Sequence, residues 1–349
     1  MTGMTRVVVA CSSTFARAML RQILEDSGAI RVVGEVTEAA DLAGMTGRLQ
    51  PELVLVEASM VGAEASVTAL AHAAQAPVIV VSAYQELNAA AAVRLLQCGA
   101  ADVVTGDARR TALGITSLGS ELVAKIAFWA RRGPLRPART SDEPPPSSVA
   151  PSRRTESVDL IVIGVSTGGP RALVELLRSL GRLVCPVVIA QHMPAAFTGS
   201  LAKHLARETG HSVVEGSADL ALEPGLIVVA PGERDSAVVR RGGGLSLRVT
   251  EPSAALVHPS VDALFVSAVT HARRPAAVVL TGMGTDGSLG AGQFAQRKLS
   301  VVVQAPQSCA VDGMPNAVIA AGHATDVLEL AQIARRLMRW AGRFDAAMA

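Results

Sequence analysis

Short valine-rich apolar runs recur through both halves of this chain, and stretches with helical periodicity separate most of them. Runs of that length, apolar without alternation, fit strands covered on both faces. Strands that alternate with helices pair in parallel, because each crossover is long enough to carry a helix. The pattern therefore predicts an α/β fold of doubly wound sheets. In the first half the strands are expected at 6–10, 31–35, 53–57, 77–82 and 102–105. Helices are expected at 14–27, 39–49, 67–74 and 87–98, with a further helical run after Thr111. In the second half the strands are expected at 159–164, 187–191, 225–230, 277–281 and 300–304. The segments 238–240 and 245–249, joined across Gly242-Gly243-Gly244, read as a hairpin, a small antiparallel addition. In such sheets function gathers at the carboxyl ends of the strands.

With 349 residues the chain exceeds what one hydrophobic core usually organises. The segment 131–157, RRGPLRPARTSDEPPPSSVAPSRRTES, is rich in Pro, Ser, Arg and charge and has almost nothing to bury. It reads as an extended tether between a first domain, 1–130, and a second, 158–349. The formal net charge of +2 argues against a nucleic-acid partner. Cys11, Cys98, Cys185 and Cys309 are widely spaced, with no CxxC pair, and fit buried thiols rather than a disulfide framework or zinc site. The opening MTGMTRVVVA has no signal-peptide character, and no apolar run reaches about 18 residues. The expectation is a cytoplasmic protein without direct membrane insertion.

Three of the expected strand ends carry chemistry. LIVIGVSTGGPRALVELL sets Ser166 between Gly164 and Gly168, with a helix starting near Pro170. A strand–turn–helix of this kind presents a serine hydroxyl at the top of a sheet, with the helix N-terminus facing a developing oxyanion. A glycine-rich loop after a strand can equally cradle a phosphate. A serine needs a base, and VVIAQHMP ends on His192 at the neighbouring strand end. AAVVLTGMG runs into Thr285-Asp286-Gly287, which adds an acid; taken alone, an aspartate there can be a mere turn-former. His204, His211 and His323 read as ordinary surface or core residues. The order Ser, His, Asp differs from the common hydrolase orders, but triads are defined by geometry. A nucleotide-binding loop at GVSTGGP would lack the Walker lysine and the full GxGxxG pattern.

From 159 to about 330 the chain resembles the chemotaxis response-regulator protein-glutamate methylesterases, the CheB family. The resemblance rests on GVSTGGP, QHMP with Phe197-Thr198-Gly199, LEPG and VAPG, HPSVDALF, LTGMGTDG and the stretch 309–315. It implies a Rossmann-like methylesterase domain with Ser166 as nucleophile, His192 as base and Asp286 orienting His192. It places Thr167 and Met283 at the substrate or oxyanion pocket; for Thr167 a helix-capping role is equally open. His258 and Asp262 fall in a structural or rim-forming segment. No cofactor or metal is implied. The implied partners are methylated chemoreceptor cytoplasmic domains, together with a chemosensory histidine kinase or adaptor. Deamidation of receptor glutamines is implied as a second activity. An esterase of another substrate, or a non-catalytic chemosensory interaction protein, are the competing readings.

The first domain is similar to a response-regulator receiver (flavodoxin-like) in organisation more than in chemistry. A receiver needs an acidic pair after its first strand, an aspartate after the third and a lysine after the fifth. Here those positions hold Cys11 and Ser12, Glu57, and about Gly106; Ser82 matches the hydroxyl position. Without the acids the magnesium ligands are lost. The expectation is a pseudo-receiver not controlled by aspartyl phosphorylation, in which Glu57 either imitates the phosphorylated state or is inert.

Overall fold

The computed structural model describes residues 4–60, 76–82, 89–105, 119, 122–123, 125–127, 129–130, 158–253, 255 and 257–340. The chain divides into two compact units, the first ending at Pro137. The expected tether 131–157, the helix at 67–74 and Gly106 lie outside the described residues.

In the first unit β1 (Thr5–Ala10), β2 (Ile30–Val36), β3 (Leu53–Glu57), β4 (Val78–Ser82) and β5 (Asp102–Thr105) form one sheet, ordered β2-β1-β3-β4-β5. Every neighbouring pair is parallel. That is the flavodoxin-like order of a doubly wound sheet. Helices α1 (Thr14–Asp26), α2 (Leu42–Leu49) and α3 (Ala89–Gln97) join the strands, and residues 122–123, 125–127 and 129–130 are helical. Ser13 starts α1 by accepting the Ala16 N–H at 3.3 Å, and Ala16, Leu20 and Leu24 turn one face into the core.

The second unit is built on a seven-stranded parallel sheet ordered β14-β13-β12-β6-β7-β9-β8. Its strands are β6 (Leu160–Val165), β7 (Val187–Gln191), β8 (Val213–Glu215), β9 (Ile227–Val229), β12 (Pro275–Val279), β13 (Val301–Gln304) and β14 (Asp326–Leu328). β6, β7, β9, β12 and β13 are buried at every position, which is why they read as unbroken apolar runs. The helices are α4 (Gly169–Arg178), α5 (Ala195–Thr209), α6 (Val261–His271), α7 (Ser288–Gln296), α8 (Gly313–Ala320) and α9 (Leu330–Trp340). Phe265 of α6 packs edge-on against Phe294 of α7, their ring centroids 5.7 Å apart. β10 (Asp235–Arg241) and β11 (Gly244–Thr250) pair antiparallel around Gly242-Gly243, both with positive φ, so the hairpin turn is two residues and Gly244 already belongs to a strand.

Two details of this layout place the site. The chain enters the sheet at β6 and builds outward through β7, then returns to the other side of β6 with β12. The connections reverse beside β6, and the loops leaving β6 and β12 flank a crevice at the carboxyl edge. β12 ends at Val279, two residues before the expected 281, with Leu280 N–H still reaching Gly164 O at 2.9 Å. Thr281 has left the ladder; its N–H goes to the Gln304 side chain at 2.9 Å.

Candidate active site

Val165 of β6 pairs with Gln191 of β7, and the ladder closes on His192 N–H to Val165 O at 3.0 Å. Ser166 and His192 are therefore the first residues beyond two paired strand ends, side by side on the carboxyl edge. The turn that carries Ser166 differs from a strained nucleophile elbow. Positive φ falls on Gly168 (80°), while Ser166 is not among the positive-φ residues. Gly168 is the cap of α4 and no side chain caps that helix, so the capping role open to Thr167 is not realised. Thr167 is half-buried, and its carbonyl accepts from Thr281 Oγ1 at 2.9 Å.

The loop after β12 comes over this turn. Ser166 N–H donates to Thr281 O at 3.0 Å. A Cβ on Gly282 would lie 2.8 Å from Ser166 Cβ, so only glycine lets the two backbones approach this closely. The next residue, Met283, is 37% exposed. Leu289, at the start of α7, is 77% exposed a few residues further on.

Asp286 meets His192 through Asp286 Oδ2 and His192 Nε2, 2.9 Å apart, with both side chains nine-tenths buried. The carboxylate sits at the N-terminus of α6. Val261 N–H donates to Oδ2 at 2.7 Å; Asp262 N–H and Gly287 N–H donate to Oδ1 at 2.9 Å. Each hydrogen bond to a charged group is worth about 1.5–3 kcal/mol. Burial alone pushes Asp286 upward, but the bonds from His192, Val261 and Asp262 outweigh it and hold the carboxyl below its usual value. The group behaves as a fixed anion against the imidazole.

That cradle is itself anchored. Asp235, 3% exposed on β10, accepts from Ser260 N–H at 2.8 Å, Ser253 N–H at 2.9 Å and His258 Nδ1 at 2.9 Å. Burial raises Asp235, yet His258, Ser253 and Ser260 bring it down to about 2. His258 is thereby assigned: it fastens the segment that leads into α6, a structural role that sequence reasoning had left between two readings. Asp262 lies directly behind Asp286. Burial and the neighbouring Asp286 charge push it up to about 6, with Gly290 N–H opposing at 2.7 Å.

Sequence reasoning missed Gln191, Thr281, Asp235 and Ser260. Gln191 Nε2 donates to both Ser166 O (2.9 Å) and His192 O (3.0 Å). Thr281 Oγ1 also accepts from Val311 N–H at 2.8 Å. Gln191, Thr281 and Ser260 lie inside QHMP, LTGMGTDG and HPSVDALF, which is where a signal was to be found; Asp235 lies in none of the quoted segments. His204 and His211 make their described contacts elsewhere, to Arg207 and Leu177 O, and His323 packs by Gly292. None of the four cysteines is joined in a disulfide, and burial pushes Cys185 up to about 12.

The strand ends of the first unit hold a different set. Cys11, fully buried, has its thiol pushed up by burial and by the nearby Glu57 charge. Glu57, 7% exposed, folds back to accept from Ser59 N–H at 3.2 Å and from the Ser59 hydroxyl. Ser82 is buried at the end of β4. Among the described residues no three His, Cys, Asp or Glu side chains gather as a metal site. A protonated thiol and a carboxylate already engaged by its own turn do not fit a magnesium ion.

Taken together, these features define the second unit as a parallel α/β domain of the hydrolase kind, with a serine and a His–Asp pair at its topological switch point. The chain belongs to the CheB methylesterase family, whose model matches residues 161–337. A Myxococcus xanthus protein-glutamate methylesterase/protein-glutamine glutaminase is 35% identical over 92% of this chain and 93% of its own length. A Pseudomonas aeruginosa protein of the same description is 34% identical, covering 97% of each chain. The Thermotoga maritima CheB methylesterase catalytic domain is 34% identical, with a TM-score of 0.51, over 52% of this chain and 98% of that one.

Proposed function

We propose that this protein hydrolyses glutamyl γ-methyl esters of chemoreceptor cytoplasmic domains, with Ser166 as nucleophile, His192 as base and Asp286 as the orienting acid. The observation that carries the reading is the His192 Nε2–Asp286 Oδ2 contact at 2.9 Å, one strand away from Ser166. Because Nε2 faces Asp286, Nδ1 is the nitrogen that serves the serine, the reverse of the better-known arrangement.

Ser166 Oγ attacks the γ-carbonyl carbon while its proton passes to His192 Nδ1. Ser166 N–H is engaged by Thr281 O, so the N–H groups of Thr167 and Gly168, at the uncapped start of α4, are the donors proposed for the oxyanion. Collapse breaks the ester C–O bond, and imidazolium returns the proton to methoxide, releasing methanol. Water then attacks the acyl-enzyme with His192 again as base, which regenerates Ser166 and leaves a glutamate. The same steps on a glutamine side chain release ammonia, the second activity named in the relatives' descriptions. The solvent-facing apolar rim of Met283 and Leu289 suits a helical protein segment better than a small ester enclosed in a pocket.

The proposed organisation is a regulatory domain over 1–130, a tether over 131–157 and a catalytic domain over 158–349. The first domain acts without aspartyl phosphorylation, as an interaction domain toward a chemosensory kinase or adaptor. Glu57, closed onto Ser59, favours the inert reading over a phosphate mimic. No described helix is long and apolar enough to cross a membrane; a cytoplasmic location is part of the proposal. The test is methanol release from methylated receptor cytoplasmic domains by the full chain and by residues 158–349. Ser166→Ala should lower the rate at least about 10⁴-fold. A variant that still releases methanol at the parental rate would remove Ser166 from the chemistry.

A further inference from the structure

We infer that Gln191 is a positioning residue that holds the nucleophile and its base in mutual register by bridging their backbones. The inference rests on Ser166 and His192 acting together as proposed above. β6 and β7 run side by side up to Val165 and Gln191, and their last rung is His192 N–H to Val165 O. Beyond that rung the chains part, one into the Ser166 turn and the other into the loop after His192. Ser166 O accepts from Gly169 N–H of its own turn at 2.9 Å, a bond that ties it to nothing on the β7 side. The Gln191 amide makes the link between the two chains, donating to Ser166 O at 2.9 Å and to His192 O at 3.0 Å.

The orientation of the amide is fixed by chemistry. Both contacts are carbonyl oxygens, so the NH2 group must face them. The other end pays for this: Gln191 Oε1 is buried without a hydrogen-bond partner, and the side chain is 2% exposed. Oε1 lies against Gly169, where an added Cβ would overlap it. A residue present only to fill this space would be better served by methionine or leucine, which leave no orphaned oxygen. What the amide adds is the double bridge. Proton transfer from Ser166 Oγ to the imidazole depends on placement within a fraction of an ångström, and a 1 Å error costs on the order of 10²-fold.

The experiment uses the full chain and two substitutions, Gln191→Met (shape kept, both donors lost) and Gln191→Glu. Ser166 reactivity is read from the rate of covalent labelling by a fluorophosphonate, which needs the serine and its base but no receptor. Methanol release gives kcat and KM. Gln191→Met should slow labelling and lower kcat about 10²-fold with KM unchanged. In Gln191→Glu an ionised carboxylate would oppose two carbonyl oxygens, whereas the protonated acid can donate one bond. Its labelling rate divided by the parent's should therefore rise as pH falls; the ratio cancels every pH effect that the two proteins share. Labelling of Gln191→Met at the parental rate overturns the inference, as does a flat ratio for Gln191→Glu should the methionine variant fail to fold. Parental labelling that responds as expected, without methanol release, would count against the ester substrate and leave the positioning role standing. A parent that is not labelled at Ser166 would overturn both.

Discussion

The two units of this chain place side chains at the same kind of location, the carboxyl ends of a doubly wound parallel sheet, and reach opposite results. At the end of β3 the Glu57 carboxylate is satisfied by its own turn, through Ser59, and beside it stands the buried, protonated thiol of Cys11. Beyond β12 the Asp286 carboxylate accepts from Gly287 N–H of its own turn but also from two N–H groups of α6, a different element, and points a lone pair at His192. Local satisfaction closes the first site. Satisfaction by distant backbone leaves the second poised, because the anion is held ionised in a place where it can orient a neighbour. A sheet edge thus offers a location, and what the carboxylate is bonded to decides whether chemistry can follow.

The contrast is broken most severely at Asp286. Asp286→Asn keeps the shape but removes the charge and favours the wrong imidazole tautomer, so kcat for methanol release should fall about 10⁴-fold while the protein stays folded. A loss of under tenfold would mean that the cradle on α6 is structural only.

A smaller effect is expected one layer out. Asp235→Asn strips a buried anion from the N–H groups of Ser253 and Ser260 and from His258, and should cost about 2–3 kcal/mol, several degrees in Tm. The parent should show the matching pH dependence. Asp235 has a depressed folded value, about 2, against an unfolded value of about 3.9. Its stabilisation is thus present above about pH 4 and is lost as pH falls toward 2. Thermal melts of parent and variant should converge across that window; a gap that stays constant would assign the loss to packing.

The smallest effect is expected in the first unit. Glu57→Gln should change methanol release less than twofold, and neither protein should take up label from acetyl phosphate. Labelling of the parent on the first domain would end the contrast between a closed and a poised site.

Much of this was legible in the sequence. Val-rich runs fixed the strands of both sheets because burial on two faces leaves no polar alternation, and Ser166, His192 and Asp286 were recognisable from strand ends followed by glycine or proline. The short edge strands β8 and β14 were not, since three residues show no periodicity and exist only by pairing with β9 and β13. Nor was the β12 boundary, expected at 281 and found at Val279.

The sequence by itself determined that two α/β domains would form, that one would carry a serine, a histidine and an acid on its carboxyl edge, and that the other would lack the acids of a receiver. Tertiary structure decided the rest. It chose which imidazole nitrogen faces Asp286, set the N-terminus of α6 beneath that carboxylate, anchored the segment through Asp235 and His258, and laid Gln191 across the backbones of Ser166 and His192. The reason is physical. Strand formation follows from a run's own apolar content, whereas hydrogen bonds between residues such as 235 and 258, or 261 and 286, exist only once the sheet has brought them within 3 Å.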